Sequence, residues 1–175
     1  MSDTNADAVR DLLLDSFSRV NGLVEDITAN LTPELATWRA DDQANPIAWL
    51  IWHLTRVQDD HVADLAGEDQ VWPEWRERFA LPFGPWATGY GQSSDEAAQV
   101  AASGELLTGY HADVQKLTLR YLDRVDGAEL TRVVDDSWKT PVTASVRLVS
   151  VIGDTLQHLG QAAYVKGLAD RAGVA

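Results

Sequence analysis

The stretch Trp49-Leu50-Ile51-Trp52-His53-Leu54-Thr55-Arg56 sets a histidine among apolar residues at helical spacing. Near the other end of the chain, Asp154-Thr155-Leu156-Gln157-His158-Leu159-Gly160-Gln161 answers it. Residues four apart on an α-helix lie about one turn apart on one face, so the Asp154 carboxylate and the His158 imidazole can converge on a single point. His53, in a separate helical segment, supplies a third donor. Two imidazoles and a carboxylate on two helices suit a divalent metal with coordination positions left open, and open positions imply chemistry rather than structural support.

Outward from these stretches, four segments carry helical periodicity. The first runs from about Ala6 to Asn30, with Val9, Leu12, Leu13, Phe17, Val20, Val24 and Ile27 at spacings of three and four behind a capping pair at Thr4 and Asp7. Leu31-Thr32-Pro33-Glu34 then reads as a stop followed by a short capped turn. The second helix opens at Asn45-Pro46 and ends before Gly67, with an apolar stripe of Ile47, Leu50, Ile51, Leu54, Val57 and Leu65. A third is expected from the cap at Ser93-Ser94-Asp95-Glu96 through to about Asp123, and Gly104 and Gly109 weaken its first half. Leu130 to Lys139 is irregular or strand-like. Thr140-Pro141 caps a last helix that runs to about Leu168 and is closed by Lys166 and Gly167. Four long helices with mixed connections give an all-α four-helix bundle, whose facing helices commonly build metal sites in the core.

Residues 67–93 break the pattern, because Pro73, Pro82, Pro85 and four glycines punctuate Trp72, Trp75, Phe79, Phe83 and Trp86. A connection of this length inside a compact domain tends to be a functional lid or disordered, and its aromatic content favours a loop that packs down over something. Trp72, Trp75 or Trp86 is therefore expected in the wall or mouth of a pocket above the metal.

The composition narrows the function. A chain of 175 residues with 45% hydrophobic content fits one domain covering 1–175. No apolar run is long enough to span a bilayer, and an N-terminus carrying Asp3 and Asp7 does not read as a secretory signal, so a cytoplasmic location is expected. With no cysteine, the chain has no disulfide, thiolate metal site or cysteine nucleophile, and any thiol chemistry must use a thiol brought by a substrate. A formal net charge of −13 repels phosphate backbones and anionic lipid, which argues against nucleic-acid and membrane partners. The sequence leaves room for a homodimer.

Each candidate ligand has a plainer rival. Arg147, Val151, Asp154, His158, Gln161 and Val165 share one face of the last helix, and Asp154 with His158 also fits a solvent-exposed helix pair. On the second helix His53 lines up with Arg56 and Asp60. By periodicity alone His53 lies on the flank of the apolar stripe and His61 near its centre, so His61 rivals it as third ligand. Asp60 or Gln161 suits the role of orienting a ligand, and Trp49 suits a pocket wall or the core. The Glu-x-x-His pairs of di-iron bundles, His-Glu-x-x-His, Gly-x-Ser-x-Gly and phosphate-binding glycine loops are absent.

Together these motifs resemble the DinB-like (YfiT-like) superfamily of four-helix metalloproteins, which includes mycothiol- and bacillithiol-dependent S-transferases. Its W-x-x-x-H-L pattern is met by Trp49 through Leu54, and its H-x-x-x-H-x-G-Q pattern by Asp154, His158, Gly160 and Gln161. The likeness extends to Leu31-Thr32-Pro33-Glu34-Leu35, Trp38-Arg39 and the aromatic loop. It departs at Asp154, where the superfamily more often has histidine; an acidic residue there is familiar in the mycothiol-linked branch. The resemblance selects His53 over His61. It implies a divalent metal, zinc first and nickel, iron or manganese after it, held by His53, Asp154 and His158. It further implies a metal-dependent thiol S-transferase, or a related isomerase or hydrolase, acting on a small thiol and an electrophilic small molecule. Arg147 would meet an anionic substrate group. The alternative is a non-catalytic metal-binding or stress-linked interaction bundle.

Overall fold

The computed structural model describes residues 3–174 and is all-α apart from one short two-stranded ribbon. Four long helices form the bundle: α1 (Asp3–Thr28), α3 (Ile47–Ala66), α6 (Gly104–Asp123) and α8 (Ala144–Ala172). Helix α3 packs on α6 and α8, and α1 packs on the same two from the other side, so α1 and α3 sit diagonally across the core. Between them lie the short helices α2 (Pro33–Thr37), α4 (Trp72–Phe79), α5 (Ser94–Ala97) and α7 (Gly127–Thr131). Strands β1 (Val133–Asp135) and β2 (Val142–Thr143) pair antiparallel just ahead of α8. Among the described residues no helix is long and apolar enough to cross a membrane.

Most boundaries follow from local chemistry. Thr32 accepts a hydrogen bond from the Leu35 amide with Pro33 in the first turn, as expected of the short capped turn. Helix α3 opens after Pro46 and closes on Gly67 in the left-handed conformation. Of the cap expected on α1, Asp7 instead pairs with Arg10 at 3.0 Å, and the side chain of Thr4 lies outside the described residues.

Three expectations need correction. The 67–93 connection contains the two-turn helix α4, because Pro73 falls in the first turn, where a missing amide costs nothing. The third helix is divided. Ser93 and Glu96 do form a reciprocal capping box, but it starts only α5, and the long helix restarts at Gly104 behind a second cap, Ser103. Gly109 then serves packing, since a Cβ there would lie 2.6 Å from the Trp75 ring, which occupies that space. The last helix starts at Thr143, whose side chain accepts from the Val146 amide, because Val142 and Thr143 are engaged with β1. It ends at Gly173 in the left-handed conformation, six residues beyond Gly167.

Helix α3 is buried on almost every side, including His53, Thr55, Arg56, Gln58 and Asp59. The cause is α4 and its flanking segments, which wrap the face of α3 turned away from the bundle axis and pack Trp72, Trp75 and Phe79 against Tyr110 of α6. The charged residues enclosed there are fully paired. Arg56 donates from Nη1 to Asp59 at 3.2 Å and to the Tyr110 hydroxyl, from Nη2 to Gln70 at 3.0 Å and from Nε to the Ala87 carbonyl at 3.1 Å. Asp59 in turn accepts from the amides of Val71 and Trp72 and from the Tyr110 hydroxyl at 2.7 Å. Removing one member leaves the other charged and buried without its partner, a change that typically costs about 3–5 kcal/mol. Arg56→Ala should therefore lose about that much stability in chemical denaturation, and an unchanged midpoint would show that the network does not hold the wrapped segment.

His111 lies between α6 and α3, with Nδ1 3.1 Å from the Thr55 hydroxyl and Nε2 unpartnered. Burial lowers its pKa from 6.5 to about 4. Between those values the unfolded chain binds a proton that the folded chain refuses, so stability should fall as pH drops through that window, by on the order of 3 kcal/mol from this residue. Thr55 also donates to the Ile51 carbonyl, so the nearly isosteric His111→Leu leaves it satisfied. That variant should show a shallower loss of stability from pH 6.5 to 4 than the parent in urea titrations.

Candidate metal centre

The α3–α8 contact brings the two sequence stretches face to face. His53, Asp154 and His158 each offer one donor atom, and the three atoms lie within 4.8 Å of one another. His158 Nε2 is 3.5 Å from Asp154 Oδ1, and the His53 and His158 rings meet edge to face with centroids 4.7 Å apart.

Each imidazole is held from behind. His53 Nδ1 lies 2.6 Å from the Thr88 carbonyl. A carbonyl oxygen can only accept, so Nδ1 of the neutral ring carries the proton and Nε2 keeps the lone pair that a metal needs. Trp49 stacks on the same ring at 4.5 Å and 11° and is itself fixed by donating from Nε1 to Gln92 Oε1 at 2.7 Å. On α8, His158 Nδ1 lies 3.2 Å from Gln161 Oε1, the orienting contact expected of Gln161. Trp49 also closes on the edge of His158, with ring centroids 6.0 Å apart.

Electrostatics favour the ligand-ready forms of His53 and Asp154, while His158 is drawn toward its protonated form and would give up that proton to a metal. Burial lowers the pKa of His53, outweighing the opposing effects of the Thr88 carbonyl and Asp154 and keeping the ring neutral. Burial also works against ionised Asp154, but His158, His53 and His61 overcome it and hold the carboxyl below its ordinary range. Asp154 in turn raises His158. Asp154 Oδ2 is buried with no hydrogen-bond partner. An unpartnered carboxylate oxygen beside two oriented imidazoles is the expected state of a donor set for a divalent cation, so the residues present fit such an ion.

A recess of about 370 Å³ opens beside the triad, lined by His53, Val57, Asp60, His61, Thr88, Tyr90, Ser150 and Asp154. His61, the rival ligand, stands in this wall apart from the triad, with Nδ1 3.8 Å from Asp60 Oδ2. Burial, and then the charge of Arg147, lower its pKa. Asp60 accepts from Gln70 at 2.8 Å and orients none of the three. Arg147 pairs with Asp135 at 3.4 Å and does not line the recess. Arg56 does not line it either, being enclosed on the loop side of α3.

The expectation for the loop tryptophans is corrected. Trp72 and Trp75 are core residues, donating to the Pro85 carbonyl and to Asp113 respectively. Trp86 is 63% exposed and borders a neighbouring depression with Asp60 and His61. The same connection does cover the site, but through Thr88, Gly89 and Tyr90. The Thr88 carbonyl and Gly89 leave no side-chain signal in the sequence, and Tyr90 carries no helical periodicity that would place it there.

The family model for mycothiol-S-transferase matches residues 12–171. A conserved protein from Enterococcus faecalis, known from its crystal structure, superposes with a TM-score of 0.83 at 34% identity, over 90% of this chain and 95% of that one. No curated protein sequence matches. Because the matched segment reaches into all four long helices and contains every member of the triad, the chain belongs to the mycothiol-S-transferase family.

Proposed function

We propose that this protein is a metal-dependent thiol S-transferase whose thiol is mycothiol or a close low-molecular-weight relative. The observation that carries the reading is the convergence of His53, Asp154 and His158 beside an open recess, in a chain of this family that has no cysteine of its own. The donor set of two imidazoles and one carboxylate suits zinc. A divalent ion at this point would lower the pKa of a bound thiol or water and so supply a nucleophile at neutral pH.

The remaining roles belong to the chain's own residues. Thr88 and Gln161 fix the tautomers of His53 and His158, and Trp49 shields both rings from water. His61, kept neutral by burial and Arg147, lines the same recess and takes the proton that the thiol gives up. The sulfur then forms its bond to the electrophilic carbon as the leaving group departs with the bonding pair. Tyr90, 93% exposed at the mouth, meets the incoming substrate.

Two measurements test the reading. Asp154→Asn should weaken zinc binding about tenfold or more in calorimetry while the protein stays folded; unchanged affinity would reduce the carboxylate to a surface charge. Chelation should abolish transfer of mycothiol to a generic electrophile, and added zinc should restore it. His61→Asn should lower that rate by about 10²-fold at unchanged metal content. Full metal loading with no turnover under any thiol tried would favour the non-catalytic bundle.

A further inference from the structure

We propose that Gly89 is a positioning residue for His53: its missing side chain lets residues 87–92 lie directly on the imidazole and hold it in the metal-binding tautomer. This rests on the reading of His53 as a metal ligand. Gly89 adopts φ +96°, and a Cβ there would lie 2.8 Å from His53 Nδ1, 3.0 Å from Trp52 Cζ3 and 3.2 Å from Trp49 Cζ2. All three are atoms of buried rings, and the Thr88 carbonyl and Gln92 hold His53 and Trp49 in place. The preceding residue supplies the Thr88 carbonyl that accepts from Nδ1 at 2.6 Å, so any lift of the segment breaks that bond.

The segment is pinned on both sides of the contact. Arg56 Nε holds the Ala87 carbonyl at 3.1 Å. On the far side the Gln92 amide donates to the Gly89 carbonyl at 3.2 Å, and the Gln92 side chain accepts from Trp49 Nε1. With both ends fixed, an added methyl group at 89 cannot be relieved by drift of the chain and must be taken up at the His53 ring. Gly91 provides the internal control. It also has positive φ, +73°, but a Cβ there would meet nothing within 4 Å. Alanine at either position incurs left-handed backbone strain, and only alanine at 89 touches the ligand.

The test compares the zinc affinity of the apo full-length protein, by chelator competition, for the parent, Gly89→Ala, Gly91→Ala and His53→Ala. Gly89→Ala should bind zinc 10- to 100-fold more weakly, with Gly91→Ala at the parent value. In parallel, nitrogen-15 NMR of the apo parent should show His53 protonated at Nδ1, and Gly89→Ala should lose that signature. Equal zinc affinities for the two alanine variants, or an Nε2-protonated His53 in the apo parent, would overturn the proposal. Where Gly89→Ala does not fold, an Nε2-protonated His53 in the parent still overturns the proposal. An unchanged affinity in His53→Ala overturns the metal reading itself, and the tautomer of the apo parent still tests the strap.

Discussion

The fold around the candidate metal centre depends on the enclosed ion pair of Arg56 and Asp59. Two opposite charges without solvent are tolerable only when every remaining donor and acceptor finds a partner. On one face of α3 those partners come almost entirely from the 67–93 connection: the amides of Val71 and Trp72, the Gln70 side chain and the Ala87 carbonyl. Among the described residues the other is the Tyr110 hydroxyl of α6. A segment rich in proline and glycine, with little helical preference of its own, is thereby given one position. The desolvation of Arg56 and Asp59 specifies where that segment goes more than it adds to net stability.

The consequence reaches the site one residue later. Fixing Ala87 fixes Thr88, and the Thr88 carbonyl fixes the tautomer of His53. Helix α3 thus presents two faces with different duties. Arg56 and Asp59 gather the connection on one, and His53 meets Asp154 and His158 of α8 on the other. Trp49, stacked on His53 and bonded to Gln92, ties the two duties together. His53 is backed by the Thr88 carbonyl, which Arg56 holds through Ala87, and His158 by Gln161, contacts that orient both rings.

Much of this could be read in the sequence. The four long helices follow from apolar spacing, the end of α3 from the cap at Gly67, and the short helices α2 and α5 from the caps at Thr32 and Ser93. The pairing of Asp154 with His158 follows from the helical repeat, and the contact of Gln161 with His158 from its place one turn further on. The choice of His53 over His61 did not follow from periodicity, which favoured neither cleanly; the resemblance made it, and the structure places His61 in the recess wall. Pro73 looked like a breaker because its role depends on whether it falls in the first turn or later. The interruption between α5 and α6 was hidden because Ser93 and Ser103 are both good caps.

The sequence by itself determined what the long segments would be: which are helical, which faces are apolar, and that Asp154 and His158 share one helix face. Those properties depend on contacts within a few residues, where the repeat of the helix fixes direction. Only the tertiary structure decided that Arg56 serves the core instead of the pocket, and that the aromatic connection covers the candidate metal centre with a backbone carbonyl and a glycine while Trp72 and Trp75 go inside. Those outcomes depend on which buried polar groups need partners once the helices pack. That requirement exists only after distant parts of the chain have excluded water together.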